Sequence, residues 1–191
     1  MNEYTVNSIR STKGVGRFRI GAVVALAFAA GLAAWLVVGR GGSSFDLSPV
    51  KPIAATALSA DGLKTMADQV GQPVYWAGTK AGSTYEFSRA SNDDIFVRYL
   101  PSGTAVGKKG RFLIIGTYRL RDAYAAIQRA SRGKNSVAVK LPHGRLAVYS
   151  PLRPNAYYFA DKGSHYQVGV FAPTAALARK LVLQGLVTPV R

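Results

Sequence analysis

The sequence predicts an α+β fold: one antiparallel-sheet domain with about three helices, placed after a single N-terminal transmembrane helix. Three observations lead there. Residues 20–38, IGAVVALAFAAGLAAWLVV, carry no charged, amide or hydroxyl side chain. Beyond residue 59, short runs of strand-forming residues follow one another closely, broken by Gly, Pro, Asn and Asp. Only a few stretches of that part have helical spacing, too few to carry the crossovers of a parallel sheet. The strands are therefore expected to be antiparallel, with the helices packed on one face.

As a helix rising about 1.5 Å per residue, residues 20–38 would be roughly 28 Å long, close to the ~30 Å hydrocarbon layer of a bilayer. A buried core helix would show a polar stripe, which this run lacks. A cleaved signal peptide has a shorter apolar core, about 7–15 residues, and a small-residue exit that Val37 and Gly39 supply poorly. Arg10, Lys13, Arg17 and Arg19 precede the run and only Arg40 follows closely. By charge asymmetry residues 1–19 form a short cytoplasmic tail and everything after the span lies outside the cytoplasm. The expected location is the cell membrane, single-pass. Gly21, Ala25, Ala29 and Ala33 recur every four residues, a small face through which two spans could self-associate.

Residues 39–58, GRGGSSFDLSPVKPIAATAL, read as a flexible tether rich in Gly, Ser and Pro. Pairing of Ile53 to Leu58 onto the domain as an edge segment is the alternative. Residues 59–191 then form the extracytoplasmic domain, a size at which one core forms without disulfides, and the chain has no cysteine. Ser59 is placed to cap a helix carrying Leu63, Met66, Ala67 and Val70, closed by Gly71 and Pro73.

Strand character follows at residues 73–77, 84–89, 95–100 and 112–117. Tyr85 and Phe87 alternate with Thr84, Glu86 and Ser88, so one face of that strand is apolar and the other polar. Phe112-Leu113-Ile114-Ile115 is apolar on both faces, the mark of a central strand. A second helix is expected near residues 119–131, ending at Gly133. Strands at residues 136–141, 145–149, 156–160 and 166–171 lead to a third helix over residues 174–184, closed by Gly185. Gly116-Thr117-Tyr118 before Ala123-Tyr124-Ala125 parallels Gly169-Val170-Phe171 before Ala176-Leu177-Ala178, so a duplicated ββββα unit is one reading. Ordinary strand-to-helix junctions are the other.

The strings Pro73-Val74-Tyr75-Trp76-Ala77-Gly78, Val97-Arg98-Tyr99-Leu100-Pro101 and Phe112 to Tyr118, following one N-terminal span, resemble membrane-anchored single-pass proteins of high-GC Gram-positive bacteria. The resemblance covers the span and most of the domain. It implies an envelope location and carries no activity with it.

Motifs for chemistry are mostly excluded. SGTAVGKK, Ser102 to Lys109, misses a phosphate-binding loop: Ser stands at the first glycine and Lys109 where a hydroxyl must reach magnesium, which leaves a glycine-rich hairpin turn. His143 and His165 are far apart with no second ligand at metal spacing. Asn92-Asp93-Asp94 reads as a turn rather than a carboxylate pair. No G-x-S-x-G is present. No catalytic residue, cofactor or metal is expected.

Charge is what remains. Past Gly39 there are 21 Lys and Arg against 8 Asp and Glu. The surplus peaks from Lys108 to Arg145, and the candidate anion contacts are Lys108, Lys109, Arg111, Arg119, Arg121, Arg129, Arg132 and Lys134. Nucleic acid is not expected, since no nucleic-acid motif accompanies the charge. Anionic lipid, an acidic wall polymer or an acidic protein fits instead. Two readings stand: a non-catalytic envelope protein whose basic domain contacts an anionic surface or acidic partner, and an envelope enzyme, a wall-modifying hydrolase, whose site is assembled from residues distant in sequence.

Overall fold

The structure, a computed structural model, describes residues 50–191. The span at 20–38 with its small-residue face, the cytoplasmic tail and the first part of the tether lie outside the described residues. Among the described residues no helix is long and apolar enough to cross a membrane.

β1 (Ile53–Leu58) runs into α1 (Ala60–Gln69), where the Ser59 hydroxyl accepts the Gly62 N–H at 3.0 Å as an N-cap. A two-residue β2 (Tyr75–Trp76) precedes the meander β3 (Ser83–Arg89), β4 (Ile95–Pro101) and β5 (Leu113–Arg119). After α2 (Ala123–Ala130) the chain builds β6 (Val137–Lys140), β7 (Leu146–Ser150), β8 (Arg153–Ala160) and β9 (Tyr166–Phe171). It closes with α3 (Ala175–Leu183), capped by Thr174, and β10 (Thr188–Pro189). Eight strands form one sheet in the order β1-β3-β4-β5-β9-β8-β7-β6, and β10 pairs with β2 beside it. Every pairing is antiparallel, so the α+β class with three helices holds for the described domain.

Because side chains alternate along a strand, each strand feeds two cores. Phe87, Val97, Ile115, Val170 and Phe159 pack on one face under α1, α3 and the β2–β10 pair. Leu146, Val148, Tyr158, Ala160 and Phe171 pack on the other under Ala123 and Ile127 of α2. The helices therefore occupy both faces, which corrects the expectation of one covered face. The apolar-both-sides character of β5 and β9 is the physical reason: a strand buried on both sides needs a cover on each. Over the β3–β4 part of the α2 face the cover is the long β4–β5 loop, residues 102–112, described below.

Several boundaries shift. Ile53–Leu58 is an edge strand rather than tether: Leu58 pairs with Tyr85 and Thr56 with Phe87, so backbone bonding along the β3 edge, invisible in composition, decides it. The second helix starts at Ala123, because Tyr118 and Arg119 stay in β5, paired with Gln167 and Tyr166. The strand expected at 73–77 shrinks to Tyr75–Trp76, and β8 begins three residues earlier than expected, at Arg153. The central placement of Leu113–Arg119 agrees with its sequence, and it pairs with both β4 and β9.

Candidate anion-contact site

The strand directions give the sheet two ends. The β4–β5 loop, the β7–β8 turn, the start of β6 and the end of β1 share one end, here the loop pole. The β3–β4 turn, the β5–α2 junction, the β8–β9 turn and the start of β1 share the other, the tether pole. α2 starts after β5 at the tether pole and delivers the chain to β6 at the loop pole.

This sorts the candidates. Lys108, Lys109 and Arg111 are exposed on the β4–β5 loop, and Arg129, Arg132 and Lys134 are exposed at the end of α2 and just beyond it. All six belong to the loop pole. Arg119 and Arg121 belong to the tether pole, where Arg119 Nη1 lies 3.4 Å from Asp93 Oδ2. Lys140 and Arg145, also in the basic stretch, end up there as well. One contiguous run of charge is thus split by the geometry of β5 and α2. Arg153 joins the loop pole; sequence reasoning missed it because only the β7–β8 register brings it there, opposite Ser150.

The loop is held on the sheet by a buried carboxylate. Glu86 of β3, expected on a polar outer face, is 1% exposed. It takes an ion pair from Arg98 Nη1 of β4, directly opposite in the register, and its Oε2 accepts the Gly107 N–H at 2.7 Å. Arg98 Nη2 donates to the Lys108 carbonyl at 2.7 Å, and its guanidinium stands 5.2 Å from the Phe112 ring centre. A charged donor and a charged acceptor thus grip adjacent backbone groups of the loop. Gly107, at φ 77°, supplies a left-handed turn there. Lys108 and Lys109 are therefore presented from a fixed backbone.

The acidic residues cluster at the opposite end. Asp93, Asp94, Asp122 and Asp161, four of the seven carboxylates among the described residues, lie at the tether pole. Asp93 is 3% exposed and receives Arg89 Nε at 2.6 Å and Gln72 Nε2 at 3.1 Å, besides Arg119. Asp161 takes Arg145 through two bonds, 2.7 and 3.0 Å. The expected Asn92-Asp93-Asp94 turn is present, with Asp93 in the left-handed region at φ 69°. Near the loop pole the carboxylate is Asp61, which faces Lys64 at 3.8 Å.

Tyr99 Oη accepts the Ala77 N–H at 2.6 Å and donates to the Gly78 carbonyl at 3.0 Å, and burial pushes its phenol well above the ordinary range. His143 and His165 are both exposed; His165 Nδ1 lies 2.8 Å from the Arg121 carbonyl. Among the described residues no group of three or more His, Asp or Glu is arranged to hold a metal. No protein-family model matches this chain, and no curated protein or solved structure is significantly similar to it.

Proposed function

We propose that this is a single-pass membrane protein of the cell envelope whose domain acts by binding, not catalysis, through a basic surface that contacts an anionic envelope component or acidic partner. The observation that carries the reading is the sorting of charge. Six of the eight candidate cations converge on the loop pole while most carboxylates gather at the other end, so the field is directional. The clamp of Glu86 and Arg98 strengthens it, because a surface that merely keeps a protein soluble has no need of a loop fixed by a buried ion pair. The wall-hydrolase alternative needs a carboxylate free to act on substrate. Glu86, Asp93 and Asp161 are each committed to arginines and Asp94 accepts the Asn92 amide at 2.8 Å, so four of the carboxylates serve the fold and the reading leans toward binding. The anchor, its N-in orientation and self-association of spans rest on residues 1–38 and are part of the same proposal.

We read the sheet as a duplicated four-stranded unit. Gly116 and Gly169, equivalent in the sequence parallel, face each other across the β5–β9 ladder. Around them Phe96–Tyr118 and Tyr158–Phe171 make matching edge-on ring pairs, with centroids 5.8 and 5.5 Å apart. The following helices break the symmetry, α2 and α3 taking opposite faces.

The test uses the full chain in neutral micelles and a fluorescent phosphodiester polymer, with a neutral polysaccharide as control. Binding to the anionic polymer should be strong at about 0.1 M salt and weak at about 1 M, as the Debye length falls from ~10 to ~3 Å. Equal binding to both polymers, or to neither, would reduce the charge to a solvated surface.

A further inference from the structure

We infer that the basic pole faces away from the bilayer that holds the chain, so that its partner is an extended polyanion beyond the membrane, bearing phosphodiester or carboxylate groups, and not the membrane's own lipid. The inference rests on the anchor reading and adds a direction to it. The tether enters the domain at β1, and Ile53 pairs with Arg89 at the tether pole. The Val50 N–H donates to the Ser91 carbonyl in the β3–β4 turn, fixing the entry point there. Lys108, Lys109 and Arg111 lie at the far ends of β4 and β5. A seven-residue strand such as β4 measures roughly 23 Å at ~3.3 Å per residue, and turns add to both ends.

The length of the connection sets the preference. Eleven residues, 39–49, separate the apolar run from Val50. Fully drawn out, eleven residues reach about 36 Å. Turning the loop pole onto the bilayer lifts the entry point at least a strand length above it, which takes up roughly two-thirds of that reach. With the entry point downward none of it is needed. The two poles also differ in what they offer lipid headgroups. At the tether pole Asp93, Asp94, Asp122 and Asp161 offset the local arginines and leave Lys51, Lys140 and Lys162 in surplus, so an anionic bilayer pulls harder on the loop pole, and the entry point at β1 with its short connection opposes that pull. The cations at the loop pole are left to something further out.

The chain has no cysteine, so a single introduced one is a unique label site. Full-length Ser102→Cys (loop pole) and Asn92→Cys (tether pole) variants would be labelled with a donor dye and reconstituted into vesicles carrying acceptor lipid. One set would be phosphatidylcholine and the other would contain added phosphatidylglycerol. The expected result is stronger energy transfer from position 92 than from 102 in both. A phosphodiester polymer added outside should shield the label at 102 and leave the one at 92 unchanged. Lys108→Glu, Lys109→Glu and Arg111→Glu together should weaken polymer binding at low salt by about a hundredfold or more, and the loss should shrink as salt rises. Stronger transfer from 102 in the anionic vesicles would make lipid the target and overturn the proposal, as would equal transfer from both sites. Flotation separates the two layers of the argument: a chain that fails to float with the vesicles overturns the anchor itself, whereas one that floats with the loop pole inward overturns only the direction.

Discussion

Replacing Glu86 with Gln tests the clamp under the β4–β5 loop. The carboxylate is 1% exposed and the Arg98 side chain 14%, so solvent screening is small for both. Glutamine keeps the volume and one acceptor oxygen but removes the charge, and its NH2 must face Arg98 or the Gly107 N–H, both donors. Breaking a buried ion pair from one side costs about 3–5 kcal/mol, mostly from the charge left behind. With one acceptor retained, the lower figure of about 3 kcal/mol applies to unfolding of the domain. Urea titration of the full chain in mild detergent, followed by the fluorescence of Trp76 in a Trp35→Phe background, measures it. A second readout isolates the loop. Limited trypsin cleavage after Lys108, Lys109 or Arg111 should accelerate by up to about a hundredfold once Gly107 and Lys108 lose their partners, since each 1.4 kcal/mol of easier opening is a decade. The double variant Glu86→Leu with Arg98→Leu removes both charges, so stability should largely return while loop cleavage stays fast. A Glu86→Gln protein within 1 kcal/mol of wild type, cleaved at the wild-type rate, would refute the clamp.

Other perturbations follow from the same geometry. Gly116→Ala sets a methyl 2.7 Å from Tyr118 Oη and 2.8 Å from its Cζ, on a central strand that cannot retreat. A loss of about 1–3 kcal/mol in urea midpoint stability is expected, with a smaller one for Gly169→Ala, where the nearest contacts are 3.0 Å. Asp93→Asn keeps a residue that tolerates φ 69° and removes the charge shared by Arg89 and Arg119, for a loss of about 2 kcal/mol; Asp93→Ala should lose more, because the left-handed backbone is then strained as well. Burial raises the phenols of Tyr75, Tyr99, Tyr118 and Tyr158 above their ordinary value near 10. The folded state therefore holds these protons to higher pH than the unfolded state. Stability should be unaffected by the phenols below about pH 10 and fall as pH rises above it, which alkaline titration of the near-ultraviolet dichroism would show. A flat profile to pH 12 would remove the buried phenols from the account.

The sequence by itself determined the class of fold, the strand-rich spacing and most of the turns. Alternation placed Tyr85 and Phe87 in a core, the double-sided apolar run placed β5 at the centre, and the Asn-Asp-Asp and Gly-rich segments turned where expected. These are local signals, set by residues within one or two turns of each other. Pairing was not legible, because bonds between strands join residues far apart in sequence. Only the tertiary structure could make Ile53–Leu58 an edge strand, bring Arg153 to the same end of the sheet as the β4–β5 loop and divide Lys108 to Arg145 between two poles. Glu86 shows the same limit most sharply. Alternation assigns it to a polar, outward face, yet a loop 21 residues further on closes over it and uses it as an anchor. Composition counts charges, but whether a charge faces water, an arginine or a backbone amide depends on what the rest of the chain lays across it.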